Sequence, residues 1–307
     1  MMTYSSIAGV SDRVSQLVLG AGGFSPQKID VVTSLIDMFV AGGGNAVDTA
    51  HVYGNGASER AIGAWLQQTG RRDALFIITK GAHPDLSDWI PRVNPDAIAR
   101  DLEASLGCLG IETIDLYLLH RDDESVPVEP LIDFLNEQVG SGRIRAFGAS
   151  NWNHLRIEKA NSYAADQGLL GFAASSPQFS LATMKTASHP FPGVVSISSS
   201  AAALSWYRVR RFPLITWSSQ ANGFFSDTTK ARPHFDTEDN RERERRARDL
   251  AGRYNCTATQ VALAWVLGQP LNIHAIFGTN KPAHLEDCLG AYDIHLRSEE
   301  MAWLNLI

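Results

Sequence analysis

Four side chains that can exchange protons or hold charge follow apolar runs of the sequence. Asp48 and Tyr53 lie in VDTAHVYGNGASERAIG (47–63), Lys80 ends the run ALFIITK, and His120 ends TIDLYLLH. A phenol has a pKa of about 10, and a neighbouring ammonium such as Lys80 would stabilise the phenolate and lower that pKa. Asp48 would hold the ammonium, and His120 would orient a carbonyl oxygen or pass it a proton. The four residues predict acid/base chemistry at a carbonyl or alcohol oxygen, with a hydride supplied by a cofactor.

The rest of the chain contains elements that would bring these four side chains together. Short β-branched and apolar runs alternate with amphipathic stretches such as 95–110 and 128–142, a pattern typical of βα units around a parallel sheet. The eight candidate strands are 14–20, 45–50, 74–80, 113–120, 144–150, 172–178, 212–218 and 273–279. We therefore predict an α/β fold, a single (β/α)8 TIM barrel domain over residues 1–307, with an N-terminal β-hairpin and long C-terminal loops.

Polar and aromatic side chains recur where the later candidate strands end. They are Ser150, Asn151, Gln178, Trp217 and Ser218. Each one alone is as well explained as a loop residue or a cap on neighbouring backbone. In a barrel of this kind the carboxyl ends of the strands form one rim that carries the functional residues. Their recurrence at successive strand ends therefore predicts a functional cluster.

Six blocks of the sequence occur in a fixed order along nearly the whole chain. They are VDTAHVYGNGASERAIG, ITK, IDLYLLH, GRIRAFGASNW, SSPQFS and IFGTNKPAHLEDCLGA. In order and content they resemble the aldo-keto reductase family. The resemblance implies that Tyr53 is the general acid in reduction and the base in oxidation. It further implies that Lys80 and His120 assist Tyr53, and that Asp48 supports Lys80.

The same resemblance implies a nicotinamide cofactor, either NADP(H) or NAD(H). Ser150, Asn151 and Gln178 match the positions that hold the carboxamide, and Trp217 matches the aromatic position that stacks on the nicotinamide ring. Asn280 stands where relatives often carry an arginine suited to a 2′-phosphate, so the choice between the two cofactors stays open. The candidate contacts to the remainder of the cofactor are Ser218, Gln220, Asn222, Gly278, Thr279, Lys281, His284 and Asp287.

The resemblance leads us to expect interconversion of an aldehyde or ketone with its alcohol. Sugars and other polyhydroxylated compounds are among the candidate substrates, because Arg121, Asp122 and Asp123 offer polar contacts after His120. One alternative is an NAD+-dependent alcohol or sugar dehydrogenase that works mainly toward oxidation. An alternative from another class is a cofactor-sensing regulatory or binding subunit, since the family's fold includes members that associate with a channel.

Composition argues against several other classes of protein. The 27 Lys and Arg residues against 33 Asp and Glu residues give a net charge of -6, which favours a small-molecule partner over nucleic acid or a membrane. The start of the chain lacks the pattern of a signal peptide, so we expect a cytoplasmic protein. Cys108, Cys256 and Cys288 lie far apart and predict free thiols in a reducing compartment. The spacing of the histidines predicts no metal site.

Three features are harder to assign. The stretch 179–211 is long for one connection and predicts a loop that covers the substrate before a helix begins. The stretch 230–249 mixes charges of both signs and predicts a solvated helix face. His51 lies three residues after Asp48 and has no role that the sequence indicates.

Overall fold

The computed structural model describes residues 1–7, 9–226 and 233–307. The strands are β1 (Tyr4–Ile7), β2 (Ser11–Ser15), β3 (Leu17–Gly20), β4 (Ala46–Asp48), β5 (Phe76–Gly81), β6 (Ile114–Leu119), β7 (Ile144–Ser150), β8 (Ser175–Ser176), β9 (Leu214–Thr216) and β10 (Ile273–Gly278). The helices are α1 (Ile29–Ala41), α2 (Ala57–Thr69), α3 (Pro95–Leu109), α4 (Glu129–Gly140), α5 (His154–Gln167), α6 (Ala201–Arg210), α7 (Glu238–Tyr254), α8 (Ala258–Leu267), α9 (Pro282–Gly290) and α10 (Ser298–Leu304).

Strands β3 to β10 pair in sequence order, and β10 returns to pair with β3. Every pairing in this ring is parallel, so the predicted eight-stranded (β/α)8 barrel is confirmed. The predicted N-terminal hairpin is also present, as the antiparallel pair β1 and β2. The division of residues 1–307 as one domain stays a prediction.

The first predicted strand, 14–20, is divided between the hairpin and the barrel. Gln16 is the point of change: its amide donates to the Thr3 carbonyl in the hairpin at 2.9 Å. Its carbonyl accepts from the amide of Ala275 in the barrel at 2.7 Å. Gln16 therefore bonds to both sheets. The continuous apolar run in the sequence does not reveal that the chain passes from the hairpin to the barrel at this residue.

Side chains of the barrel strands alternate between two cores. In β6, Leu116 and Leu118 belong to the cluster inside the barrel, while Tyr117 and Leu119 belong to the layer between the strands and the helices. This is the period of two expected for a strand with both faces buried. Ile7 of the hairpin also packs in the inner cluster. The hairpin thus closes the amino-terminal end of the barrel, and the opposite end stays open.

The predicted helices 95–110 and 128–142 correspond to α3 and α4. Asn94 caps α3 by accepting from the Ala97 amide at 3.0 Å, and Gly110 ends it at a φ of 65°. Helix α7 covers most of the charged stretch 230–249, of which 230–232 lie outside the described residues. Its charges pair along the helix, as between Arg245 and Glu242 at 2.7 Å, which fits a solvated face.

Three long connections follow β5, β8 and β9 at the open end of the barrel. They span 82–94, 177–200 and 217–237, and the last includes residues 227–232, which lie outside the described ranges. Over the described parts of the chain, no helix combines the length and apolar character needed to cross a bilayer. Cys108, Cys256 and Cys288 are free thiols, as predicted.

Candidate active site

A buried ion pair joins the ends of neighbouring strands β4 and β5. The Lys80 ammonium donates to both carboxylate oxygens of Asp48, at 2.7 and 2.6 Å, and to the Thr49 carbonyl at 2.8 Å. The side chains of Lys80 and Asp48 are 3% and 5% exposed. Burial alone would lower the pKa of Lys80, but the charge and hydrogen bonds of Asp48 outweigh it and raise the pKa above its ordinary value. Lys80 is therefore a cation at neutral pH.

Tyr53 lies in the loop after β4, above this ion pair. The Lys80 Nζ atom is 5.2 Å from the centre of the Tyr53 ring. We predicted from the sequence that Lys80 would lower the pKa of Tyr53, and its charge does act in that direction. Burial of the phenol has the larger effect, so the pKa of Tyr53 is raised overall. The phenol is protonated at neutral pH.

His120 follows β6 and contacts the Tyr53 ring edge-on, with ring centres 5.8 Å apart. It is 6% exposed, and its ring lies 4.7 Å from that of His83. Burial, together with the charges of Lys80 and Arg121, holds the pKa of His120 well below its usual range. A neutral imidazole can donate or accept a hydrogen bond at pH 7 but carries no charge of its own. His120 is thus suited to orienting an oxygen atom next to the Tyr53 hydroxyl.

These residues lie in a cavity of about 1090 Å³ at the open end of the barrel. The volume lies at the upper end of the ~300–1,000 Å³ that is typical of ligand pockets. The sequence-predicted residues that line it are Asp48, Tyr53, Lys80, His120, Ser150, Asn151, Trp217, Ser218, Gln220, Asn222, Gly278, Thr279, Lys281 and His284. The barrel therefore gathers into one cavity residues that are far apart in sequence.

Two of the predicted cofactor contacts, Gln178 and Asp287, do not line this cavity. Gln178 is fully buried and bonds to Ser180 and Ser196, at 2.9 and 2.6 Å. These bonds join the start of the long connection after β8 to a later part of the same connection. The Asp287 carboxylate accepts from the Thr257 hydroxyl at 3.0 Å, at the start of α8. Both side chains are engaged in holding the scaffold.

The backbone of the rim is held in the left-handed region at several non-glycine residues. Asn151 has a φ of 60°, Ser218 of 49° and Asn222 of 53°. The side-chain amide of Asn151 donates from Nδ2 to the His120 carbonyl at 3.3 Å, and its Oδ1 accepts from the backbone amide of Val195 at 3.2 Å. Such backbone conformations are sparsely populated and cluster at ligand sites, although Asn adopts them more readily than most residues. They position the side chains that face the cavity.

The structure adds cavity residues that the sequence did not reveal. Gly22 belongs to the glycine run that follows β3, and it lines the cavity beside Tyr53. His189 and Phe191 come from the predicted covering stretch 179–211 and also line it. A glycine run at the carboxyl end of a first strand was a usable signal. The covering residues gave none, because their connection has no periodic pattern.

His51 has a structural role that the sequence did not indicate. Its Nδ1 atom is 3.0 Å from Glu59 of α2, and the Thr79 hydroxyl donates to the other oxygen of that carboxylate at 2.6 Å. Glu59 is fully buried. Its hydrogen bond raises the pKa of His51, while burial of the ring acts in the opposite direction. Cys108 also lies close to both groups, and the absence of a metal site stays a prediction.

Comparison with known proteins identifies the family. The model of the Aldo/keto reductase family matches residues 16–307. The chain belongs to the aldo/keto reductase family. The predicted family and oxidoreductase class are therefore confirmed.

Individual aldo/keto reductases resemble the chain along most of its length. The aldo-keto reductase yakc of Schizosaccharomyces pombe, named with NADP(+), is 29% identical over 81% of this chain and 74% of its own length. A putative voltage-gated potassium channel subunit beta of the same yeast is 25% identical over 81% of this chain and 75% of its own length. An aldo-keto reductase of Klebsiella pneumoniae, crystallised with NADPH, is 21% identical with a TM-score of 0.77, over 100% of this chain and 95% of that one. This last likeness shows the fold.

The pairing of His51 with Glu59 predicts a stability contribution that depends on pH. Because the pKa of His51 is raised above its ordinary value of 6.5, the contribution is full below pH 6.5 and is lost as the pH rises through the higher folded value. We expect His51→Gln to lower the free energy of unfolding by about 1 kcal/mol at pH 5.5 and by less at pH 9. Urea unfolding at both pH values measures this. Thr79→Val, which removes a neutral donor to Glu59, should cost the same at both, and an equal cost for His51→Gln would contradict the assignment.

Proposed function

We propose that this protein is an NAD(P)(H)-dependent oxidoreductase that interconverts an aldehyde or ketone and its alcohol. The observation that carries the proposal is a protonated Tyr53 above the buried pair of Lys80 and Asp48, with neutral His120 beside it in one cavity. This arrangement can deliver a proton from Tyr53 to a carbonyl oxygen and stabilise the phenolate that remains.

Residues around the cavity fit a nicotinamide dinucleotide. Trp217 lines the cavity, where its ring could stack on a nicotinamide ring. Its indole Nε1 is buried without a hydrogen-bond partner among the described residues, so it could donate to a polar atom of a bound ligand. Ser150 and Asn151 would hold the carboxamide. Lys281 and Thr279 at the far end would contact phosphate oxygens. When bound, the reduced cofactor would supply a hydride to the carbonyl carbon of the substrate.

The residues of this chain would carry out the proton transfer. His120 donates a hydrogen bond to the carbonyl oxygen and fixes its position beside Tyr53. Tyr53 gives its hydroxyl proton to that oxygen and becomes a phenolate. The Lys80 ammonium stabilises the phenolate, and Asp48 keeps the ammonium in place. In the oxidation direction the phenolate accepts the proton of the alcohol.

Two alternatives differ in what they require of these residues. An oxidising dehydrogenase would use the phenolate form of Tyr53 as its base, and it differs from a reductase in the initial rates of the two directions. A regulatory subunit would bind the cofactor without needing turnover. Stoichiometric co-purification of a membrane partner with little turnover would favour that alternative. The cytoplasmic location stays a prediction.

Replacement of Tyr53 by phenylalanine tests the assigned acid. We expect Tyr53→Phe to lower kcat for carbonyl reduction by at least about 10²-fold, because the proton donor is lost while the ring stays. Cofactor binding, measured by quenching of tryptophan fluorescence, should stay nearly intact. Tyr163→Phe removes a hydroxyl that bonds to Asp133 away from the cavity and should leave kcat unchanged. Full activity of Tyr53→Phe would exclude the mechanism.

Residues 280 and 281 test the choice between the two cofactors. Asn280→Arg should raise the preference for NADPH over NADH about tenfold, because a guanidinium pairs with a 2′-phosphate. Lys281→Met should change the preference in the opposite direction by removing a point charge. Initial rates with both cofactors in both directions measure the preference and also test the oxidising alternative. If the preference for NADPH over NADH is unchanged in both variants, neither residue contacts the 2′-phosphate.

A further inference from the structure

Arg121 is a buried cation in the cavity wall without a carboxylate to balance it. Its side chain is 8% exposed and lines the cavity directly after His120. One terminal nitrogen donates to the His120 carbonyl at 3.1 Å, while the Nε atom is buried without an acceptor. Within residues 1–7, 9–226 and 233–307, no carboxylate forms an ion pair with its guanidinium. A guanidinium taken out of water in this way needs an anion to offset the cost of burial.

The two acidic residues that follow Arg121 in sequence do not neutralise it. Asp122 accepts from Nε of Arg156 at 2.8 Å, and Asp123 accepts from the Ser125 hydroxyl at 2.6 Å. Neither aspartate lines the cavity. The run of polar residues that suggested contacts to a hydroxylated substrate therefore contributes a single cation to the cavity.

The charges around the cavity leave Arg121 unbalanced at the substrate end. Asp48 is the one acidic residue among the described residues of the cavity wall, and Lys80 already pairs with it. Burial lowers the pKa values of His83 and His189, so both imidazoles are neutral at pH 7. Arg121 directly follows His120, whose ring lies 5.8 Å from that of Tyr53, so the guanidinium lines the cavity near the acid/base group.

Aromatic side chains form the wall beside these groups. Trp89 and Phe191 stack with ring centres 5.2 Å apart and an angle of 29° between their planes. His83 joins them to the acid/base residues, with its ring 5.5 Å from Trp89 and 4.7 Å from His120. Arg121 thus adds a cation without a carboxylate partner to a wall of aromatic and neutral imidazole side chains near Tyr53. A ligand there meets one cation and an apolar wall.

We propose that the substrate is a carbonyl compound that also carries a carboxylate, and that Arg121 binds this carboxylate while the carbonyl group faces Tyr53 and His120. The apolar remainder of the substrate contacts Trp89 and Phe191. The proposal rests on the function proposed above. A single guanidinium matches the charge and the planar shape of one carboxylate, whereas a phosphate dianion requires further donors. Arg121 is therefore a determinant of substrate specificity.

Pairs of substrates that differ only in the negative charge test the proposal. The pairs are phenylglyoxylate with its methyl ester and 4-formylbenzoate with its methyl ester. The ratio of kcat/KM for acid over ester removes differences between variants in the hydride and proton steps. We expect Arg121→Met to lower this ratio by about ten- to a hundredfold, which corresponds to the free energy of one charge-assisted hydrogen bond. Arg121→Lys should restore part of it.

Arg208→Met provides the matched control, because Arg208 is an exposed arginine of α6 that lies outside the cavity. It should leave the ratio and the rates unchanged. If Arg121→Met lowers the rates for acid and ester equally, Arg121 acts only by positioning His120, and the proposal is overturned. An unchanged ratio for both pairs overturns it as well.

A binding measurement separates failure of this proposal from failure of the proposed function. Benzoate and benzamide have the same shape and do not react, so their affinities for the protein with NADP+ can be measured by calorimetry. We expect the Kd of benzoate to rise at least tenfold in Arg121→Met, with little change for benzamide. If the wild-type protein reduces no carbonyl compound, the proposed function fails, yet this difference still supports Arg121 as a carboxylate site. Equal changes for benzoate and benzamide overturn it.

Discussion

The buried ion pair between Asp48 and Lys80 is the constraint on which the site depends. An ammonium at this depth costs several kcal/mol unless its three donors are satisfied. The three donors of Lys80 are satisfied by both carboxylate oxygens of Asp48 and by the backbone carbonyl of Thr49. That geometry requires β4 and β5 to be neighbours in register, which the closed parallel barrel enforces. Tyr53 then lies over a fixed positive charge, and His120 completes the group from β6.

Much of this site could be predicted from the sequence because one rule of geometry connects it. Parallel strands of a barrel end at one rim, so Asp48, Lys80 and His120 had to meet once the strands were recognised. The same rule does not give side-chain direction. Gln178 and Asp287 occupy the expected stretches but bond to the scaffold. The sequence indicated that Lys80 lowers the pKa of Tyr53, but it did not reveal that burial of the phenol outweighs this effect.

The sequence indicated Arg121 and the covering stretch 179–211, but it could not show how they line the cavity, for a physical reason. The walls at the substrate end of the cavity come from connections that lack periodicity, and their residues become neighbours only when the loops fold over the rim. The charge of Arg121 illustrates this: two aspartates follow it in sequence, yet both bond elsewhere and leave the guanidinium unbalanced. Specificity in such barrels is set by these loops, while the chemistry is set by the strand ends.

The central claim is that the ammonium of Lys80, held by Asp48, stabilises the phenolate of Tyr53. The most direct test is the pH dependence of kcat/KM for alcohol oxidation at saturating NADP+, compared between the wild-type protein and Lys80→Met. The account predicts that loss of the ammonium raises the apparent pKa of the rise in rate and lowers the rate at pH 8 by about tenfold or more. An unchanged profile and an unchanged rate at pH 8 would contradict it.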